Sequence, residues 1–124
     1  MKGLRTVIYK VPDMEQAKVW YAQAFGVKPY FDEPFYIGYN IGGYELGIQP
    51  RSESDEGTGD NVLVYWGVDD IKEKYDHLIQ MGAKSHEEPT NVGGPIEVAT
   101  IYDPWGNLLG LIYNPTFKLP EEED

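Results

Sequence analysis

The sequence predicts an α+β fold made of two successive βαβββ modules, on three observations. A strand-like run closed by Val and an acidic helix cap occurs twice, as Val11-Pro12-Asp13-Met14 and again as Val68-Asp69-Asp70-Ile71. Each copy leads into an amphipathic stretch ended by glycine, Gly26 and Gly82. The second copy then closes with Asp103-Pro104-Trp105-Gly106-Asn107 between two apolar runs. There Asp suits the first turn position, Pro presets the second, and Gly takes the left-handed position that a hairpin requires. Repeated units too small to bury a sheet face alone imply two sheets that complete each other.

Residues 4–11 read as the first strand by β-branched content and alternation. Asp13 caps a helix, with Gln16 three residues on as a capping box requires. Met14, Ala17, Trp20, Tyr21, Ala24 and Phe25 then recur at helical spacing. Strands are expected over 27–31, 35–41 and 44–49, the last two joined by the tight turn Asn40-Ile41-Gly42-Gly43. Residues 50–61 are polar, acidic and without periodicity, which marks a linker. In the second module, 62–68 is a strand, and Asp70 caps with Glu73 three on. Ile71, Tyr75, Leu78 and Ile79 form the helical stripe, and strands follow near 83–87, 96–102 and 108–113. Gly93-Gly94-Pro95 reads as a connection that moves over a cavity mouth. The chain is expected to be one domain over 1–119, with module 1 at about 4–49, module 2 at about 62–115, and a disordered acidic tail at 120–124.

With 124 residues, 41% of them hydrophobic, the chain can bury one core and has no room for two ordinary domains. No apolar run approaches the roughly 18 residues of a spanning helix, and no signal-peptide core is visible, so a soluble, cytoplasmic protein with no membrane partner is expected. The absence of cysteine rules out disulfides and thiolate ligands. A formal charge of −11 argues against a nucleic-acid partner. Eight of the 21 acids lie in the linker and the tail, leaving 13 against ten Lys and Arg, so the body is only mildly acidic. No Gly-x-Ser-x-Gly elbow occurs, and Gly57-Thr58-Gly59 lacks the Lys and helix of a phosphate loop.

Paired modules of this kind, with Val-x-Asp before each helix and Asp-Pro-x-Gly-Asn before the last strand, resemble the vicinal oxygen chelate superfamily over residues 4–115. That group includes glyoxalase I, extradiol dioxygenases, fosfomycin-resistance enzymes and bleomycin-resistance proteins. The resemblance implies two modules whose mixed sheets curve into an open barrel around a cavity, with the helices outside, and a homodimer. It places metal ligands on the first and last strand of each module, here Thr6 and Leu63, Glu45 and Gly110. Only Glu45 could ligate. A catalytic divalent ion needs about three His or carboxylate ligands, so no metal and no other cofactor is expected.

Alternation puts Thr6, Ile8, Glu45, Gly47, Gln49, Leu63, Tyr65, Gly110 and Ile112 on the cavity face, joined by Val98, Thr100 and Tyr102. This lining suits a small molecule that meets Thr6, Ile8, Glu45, Gln49, Leu63, Tyr65, Val98, Thr100, Tyr102 and Ile112. Glu45 either meets solvent, pairs with Lys10, or acts as an acid, a base or a counter-ion. Tyr65, Trp66 and Tyr102 are either core aromatics or ligand platforms. His77 reads as surface and His86 as structural. Trp105, at a hairpin tip, is expected at a dimer contact or a pocket rim. The leading function is metal-free binding of an apolar or aromatic small molecule, as in sequestration or resistance. The alternatives are a lyase, isomerase or dioxygenase-type enzyme using Glu45 or an atypical metal site, and a non-catalytic interaction subunit.

Overall fold

A computed structural model describes residues 4–52 and 62–117. Contacts divide the chain into two compact units, residues 1–57 and 58–124, each holding one module. Most of the expected linker, from residue 53 on, and the acidic tail lie outside the described residues.

In the first unit, β1 (Thr6–Val11), α1 (Met14–Phe25), β2 (Phe31–Glu33), β3 (Tyr36–Ile41) and β4 (Tyr44–Pro50) follow one another. The sheet order is β1-β4-β3-β2, with β1 parallel to β4 and the other pairs antiparallel. Asp13 caps α1 as its spacing predicts, Oδ1 accepting the Gln16 N–H at 3.1 Å, and Gly26 ends it at φ +70 with its N–H on the Ala22 carbonyl. Ala17, Trp20, Tyr21 and Ala24 of α1 are buried, as are Tyr9, Val11, Ile37, Tyr39, Leu46 and Ile48 of the sheet. Tyr9 stacks on Tyr21 at 5.8 Å, and the Tyr39 hydroxyl donates to the Lys18 carbonyl at 2.7 Å. One face of the sheet is thereby committed to the helix.

The second unit repeats the order: β5 (Tyr65–Gly67), α2 (Ile71–Gln80), β6 (Lys84–Gly93), β7 (Ile96–Tyr102) and β8 (Leu108–Tyr113), arranged β5-β8-β7-β6. β5 runs parallel to β8, and the other pairs are antiparallel. Asp70 accepts the Glu73 N–H at 3.0 Å. Ile71, Tyr75 and Leu78 of α2, and Ala99, Ile101, Leu109 and Leu111 of the sheet, are buried.

Three strands, β2, β5 and β6, differ most from their expected bounds. β2 starts at Phe31 because Val27 still closes the helix, its N–H on the Ala22 carbonyl, and Pro29 has no N–H to give; pairing begins with the Tyr30 N–H on Gly38. β5 is short: only Tyr65–Gly67 hold the ladder to β8, and Val62 and Leu63 lie before it. β6 runs on to Gly93 although its sequence is polar, because an edge strand needs only one neighbour. Its pairing with β7 shifts register three times, between Ser85 and Glu87, between Glu87 and Thr90, and between Asn91 and Gly93. Gly93 and Gly94, at φ +141 and +53, form the β6–β7 turn, whose ends Asn91 ties by hydrogen bonds to Gly93 and Gly94. Among the described residues no helix is long and apolar enough to cross a membrane.

Candidate functional site

The first unit's sheet turns its other face away from α1. By register Thr6 sits beside Glu45, Ile8 beside Gly47 and Lys10 beside Gln49, while across the β3–β4 ladder Gly38 faces Gly47 and Asn40 faces Glu45. Thr6, Ile8, Glu45 and Gln49 therefore share this open face, as alternation predicts.

Glu45 is its polar centre. Oε1 accepts the Thr6 hydroxyl at 3.1 Å, and Oε2 accepts the Tyr30 hydroxyl. The Tyr36 hydroxyl also lies close to this carboxylate. Two facing glycines let these rings come down onto the strands. A Cβ on Gly38 would lie 2.9 Å from Glu45 Oε2 and 3.2 Å from the Tyr30 ring, and one on Gly47 would lie 2.7 Å from Cζ of Tyr36. Beside the carboxylate is a concavity of about 390 Å³ lined by Tyr30, Tyr39, Asn40, Gly43, Tyr44 and Glu45. Tyr30 remains 64% exposed, and Phe31 and Phe35 are exposed next to it, with Phe31 touching both Phe35 and Tyr36.

The phenols respond to this setting. Burial, with the adjacent Glu45 charge and hydrogen bond, pushes Tyr36 up to about 12, and the hydrogen bond to Glu45 raises Tyr30. A raised folded value means that the native state holds its proton more tightly than the unfolded chain. The stabilisation is therefore complete below the ordinary tyrosine value of about 10 and is lost between there and about 12. Thermal unfolding followed across that alkaline window should show a midpoint falling more steeply in the parent than in Tyr36→Phe. Equal slopes would refute the assignment.

A divalent metal does not fit this donor set. Glu45 is the sole His or carboxylate among the residues of the site named above, and its oxygens already accept hydroxyl protons. Among the described residues no group of three His, Asp or Glu could hold an ion.

The other candidates lie in the second unit. Tyr65, Val98, Thr100, Tyr102 and Ile112 share the face of its sheet turned from α2, with Thr100 and Tyr65 flanking Gly110. The Tyr65 ring covers Gly110, where a Cβ would come within 2.5 Å of it. Leu63 lies before β5, exposed and outside the ladder. By register Gly110 pairs with Tyr65 and not with Leu63, so its counterpart in the first unit is Gly47, which pairs with Ile8. Trp66 is half-buried, pairs with Leu111 and so points to the α2 side. Trp105 is half-buried, and its backbone N–H donates to Asp103 Oδ1 at 2.9 Å. His77 is exposed on α2.

Sequence reasoning missed Tyr30, Tyr36 and Gly38. Carrying the alternation of β4 back across the Asn40–Gly43 turn would have placed Tyr36, Gly38 and Asn40 on the face of Glu45. Tyr30, in the connection before β2, offers no such signal.

A family model described as Glyoxalase/Bleomycin resistance protein/Dioxygenase superfamily matches residues 3–111. No curated protein matches the sequence. Among solved structures, a glyoxalase-related enzyme from Fulvimarina pelagi is 16% identical, with TM-score 0.80 over 100% of this chain and 96% of its own. A glyoxalase/bleomycin resistance protein/dioxygenase family enzyme from Burkholderia phytofirmans PsJN is 22% identical, with TM-score 0.72 over 87% and 95%. TioX from Micromonospora sp. ML1 is 16% identical, with TM-score 0.69 over 90% and 98%. At these identities the likeness is one of fold, and it is the fold that the paired modules implied.

Proposed function

Since the chain belongs to the glyoxalase/bleomycin resistance protein/dioxygenase superfamily, we propose that it is a metal-free binding protein for an apolar or aromatic small molecule. The ligand is held on the open face of the first unit. One observation carries this reading: Glu45, where the family resemblance places a metal ligand, is instead bound by the hydroxyls of Thr6 and Tyr30 at the edge of a tyrosine-lined concavity. Such a carboxylate, already oriented, can take an amine or hydroxyl of a ligand whose rings lie on Tyr30, with charge-assisted bonds worth about 1.5–3 kcal/mol. The exposed rings of Phe31 and Phe35 extend the aromatic surface beyond it.

The test joins two measurements. Elemental analysis of untagged protein from cells supplied with Fe, Mn, Ni, Co and Zn should find far less than one equivalent of metal per chain. Fluorescence titration with a panel of aromatic amines should find saturable binding that weakens about tenfold in Glu45→Gln and in Tyr30→Ala. A stoichiometric metal, or binding indifferent to both substitutions, would overturn the proposal. Turnover abolished by Glu45→Gln would favour the enzyme reading instead.

A further inference from the structure

We propose that His86 forms a ligand contact on the open face of the second unit, its Nε2 accepting the O–H of a neutral phenol or enol while Thr100 holds its Nδ1. The first ground is the backbone. Ser85 pairs with Ile101 and Glu87 with Thr100, so His86 is the extra residue of a bulge, and it joins Glu87 in facing Thr100 alone. Bulges of this kind re-aim side chains. This one brings the imidazole over the face that carries Thr100 and Tyr102.

The second ground is how the ring is held. Nδ1 lies 2.8 Å from Thr100 Oγ1, and Thr100 is only 2% exposed. The Tyr102 ring meets the imidazole edge-on, centroids 5.2 Å apart at 74°. His86 itself is exposed, and among the described residues Nε2 has no hydrogen-bond partner. One nitrogen is thus held by a buried hydroxyl and the other is left for an outside group; with the Thr100 hydroxyl accepting the Nδ1 proton, Nε2 is the acceptor.

The third ground is the chemistry of the surroundings. Val98, Ile112, Tyr65 and Tyr102 give the face an apolar and aromatic surface. Lys84 lies opposite Tyr102, and Glu87 lies opposite Thr100. With Glu87 beside the ring in an acidic protein, a carboxylate or phosphate is repelled, and a neutral, weakly acidic hydroxyl on a flat ring fits better.

The probe is para-fluorophenol, with fluorobenzene as the analogue lacking the hydroxyl. The full chain carries His77→Gln, which leaves His86 as its single imidazole. Nitrogen NMR of the neutral ring, at a pH above which its resonances no longer move, should show an Nδ1-protonated ring whose Nε2 resonance moves with para-fluorophenol and not with fluorobenzene. Fluorine NMR should show affinity for the phenol falling at least fivefold in His86→Phe and in Thr100→Val. Thr100→Val should also lose the tautomer preference, and Thr100→Ser should restore both. A purely structural hydrogen bond would leave Nε2 silent to the phenol. That result, an equal response to fluorobenzene, or unchanged affinity in His86→Phe would overturn the proposal. The proposed site on the first unit is read by Glu45→Gln and Tyr30→Ala, so the two can fail separately.

Discussion

Replacing Asp103 with alanine is expected to lower the unfolding free energy by about 3 kcal/mol, the upper end of what a single lost polar residue costs. Asp103 is 1% exposed, yet its carboxylate is fully engaged. Oδ1 accepts the N–H groups of Trp105 and Asn107 at 2.9 and 2.8 Å, and Oδ2 accepts the Asn107 side-chain amide at 2.9 Å. The Asp103 N–H donates to the Asn107 carbonyl at 2.8 Å, and Gly106 completes the turn at φ +91. Alanine would leave three donors without their acceptor in the turn that starts β8, the strand that pairs with both β5 and β7. A buried donor stripped of its acceptor loses its full desolvation cost, not just the net worth of the bond. Asn in place of Asp103 should recover part of the loss, since it keeps one carbonyl oxygen but turns an NH₂ toward the Asn107 amide. Urea unfolding of the parent and the two variants tests this. A loss below about 1 kcal/mol for Asp103→Ala would mean that the turn is held by its backbone alone.

That turn also shows why the fold was legible. Its residue types dictate its conformation locally, as Asp13 with Gln16 and Asp70 with Glu73 do at the helix starts, and both caps form as spaced. The repeat of Val-x-Asp then sets the order of elements without any knowledge of tertiary contacts. Less was legible wherever pairing partners decide. β5 keeps only Tyr65–Gly67 in its ladder with β8, and β6 extends through polar residues because β7 offers it a ladder. The site divides in the same way. Glu45 and its strand neighbours follow from alternation along a single chain segment. The rings that surround Glu45 depend on Gly38 and Gly47 facing each other across two strands, and His86 depends on a bulge. Period-two reasoning cannot see an inserted residue, so it does not place His86 beside Thr100.

The family resemblance places an acid at Gly110, whereas the register makes Gly47 its counterpart, and an acid introduced at Gly110 should fail. A Cβ at Gly110 would sit 2.5 Å from Cδ1 of Tyr65 and 2.8 Å from the Val64 carbonyl oxygen, which the Gly110 N–H also binds across the β5–β8 ladder at 2.8 Å. The ring can turn aside, but the carbonyl belongs to the pairing itself and cannot retreat without opening it. Overpacking of this kind costs about 1–3 kcal/mol, and a longer side chain adds the need to find room past Tyr65. Gly110→Ala is therefore expected to cost about 2 kcal/mol and Gly110→Glu about 3 kcal/mol, with no metal gained by the latter. Tyr65→Ala combined with Gly110→Ala should cost less than the two single changes added together. The ring clash disappears in that background while the carbonyl clash remains, giving a coupling of about 0.5–1 kcal/mol. Chemical unfolding of the cycle, with elemental analysis of Gly110→Glu, checks both halves. A stable Gly110→Glu protein that takes up a divalent ion would show that the missing acid is a simple replacement. Destabilisation partly relieved by Tyr65→Ala would show that the face was rebuilt around the tyrosine, so that ring and glycine have to change together.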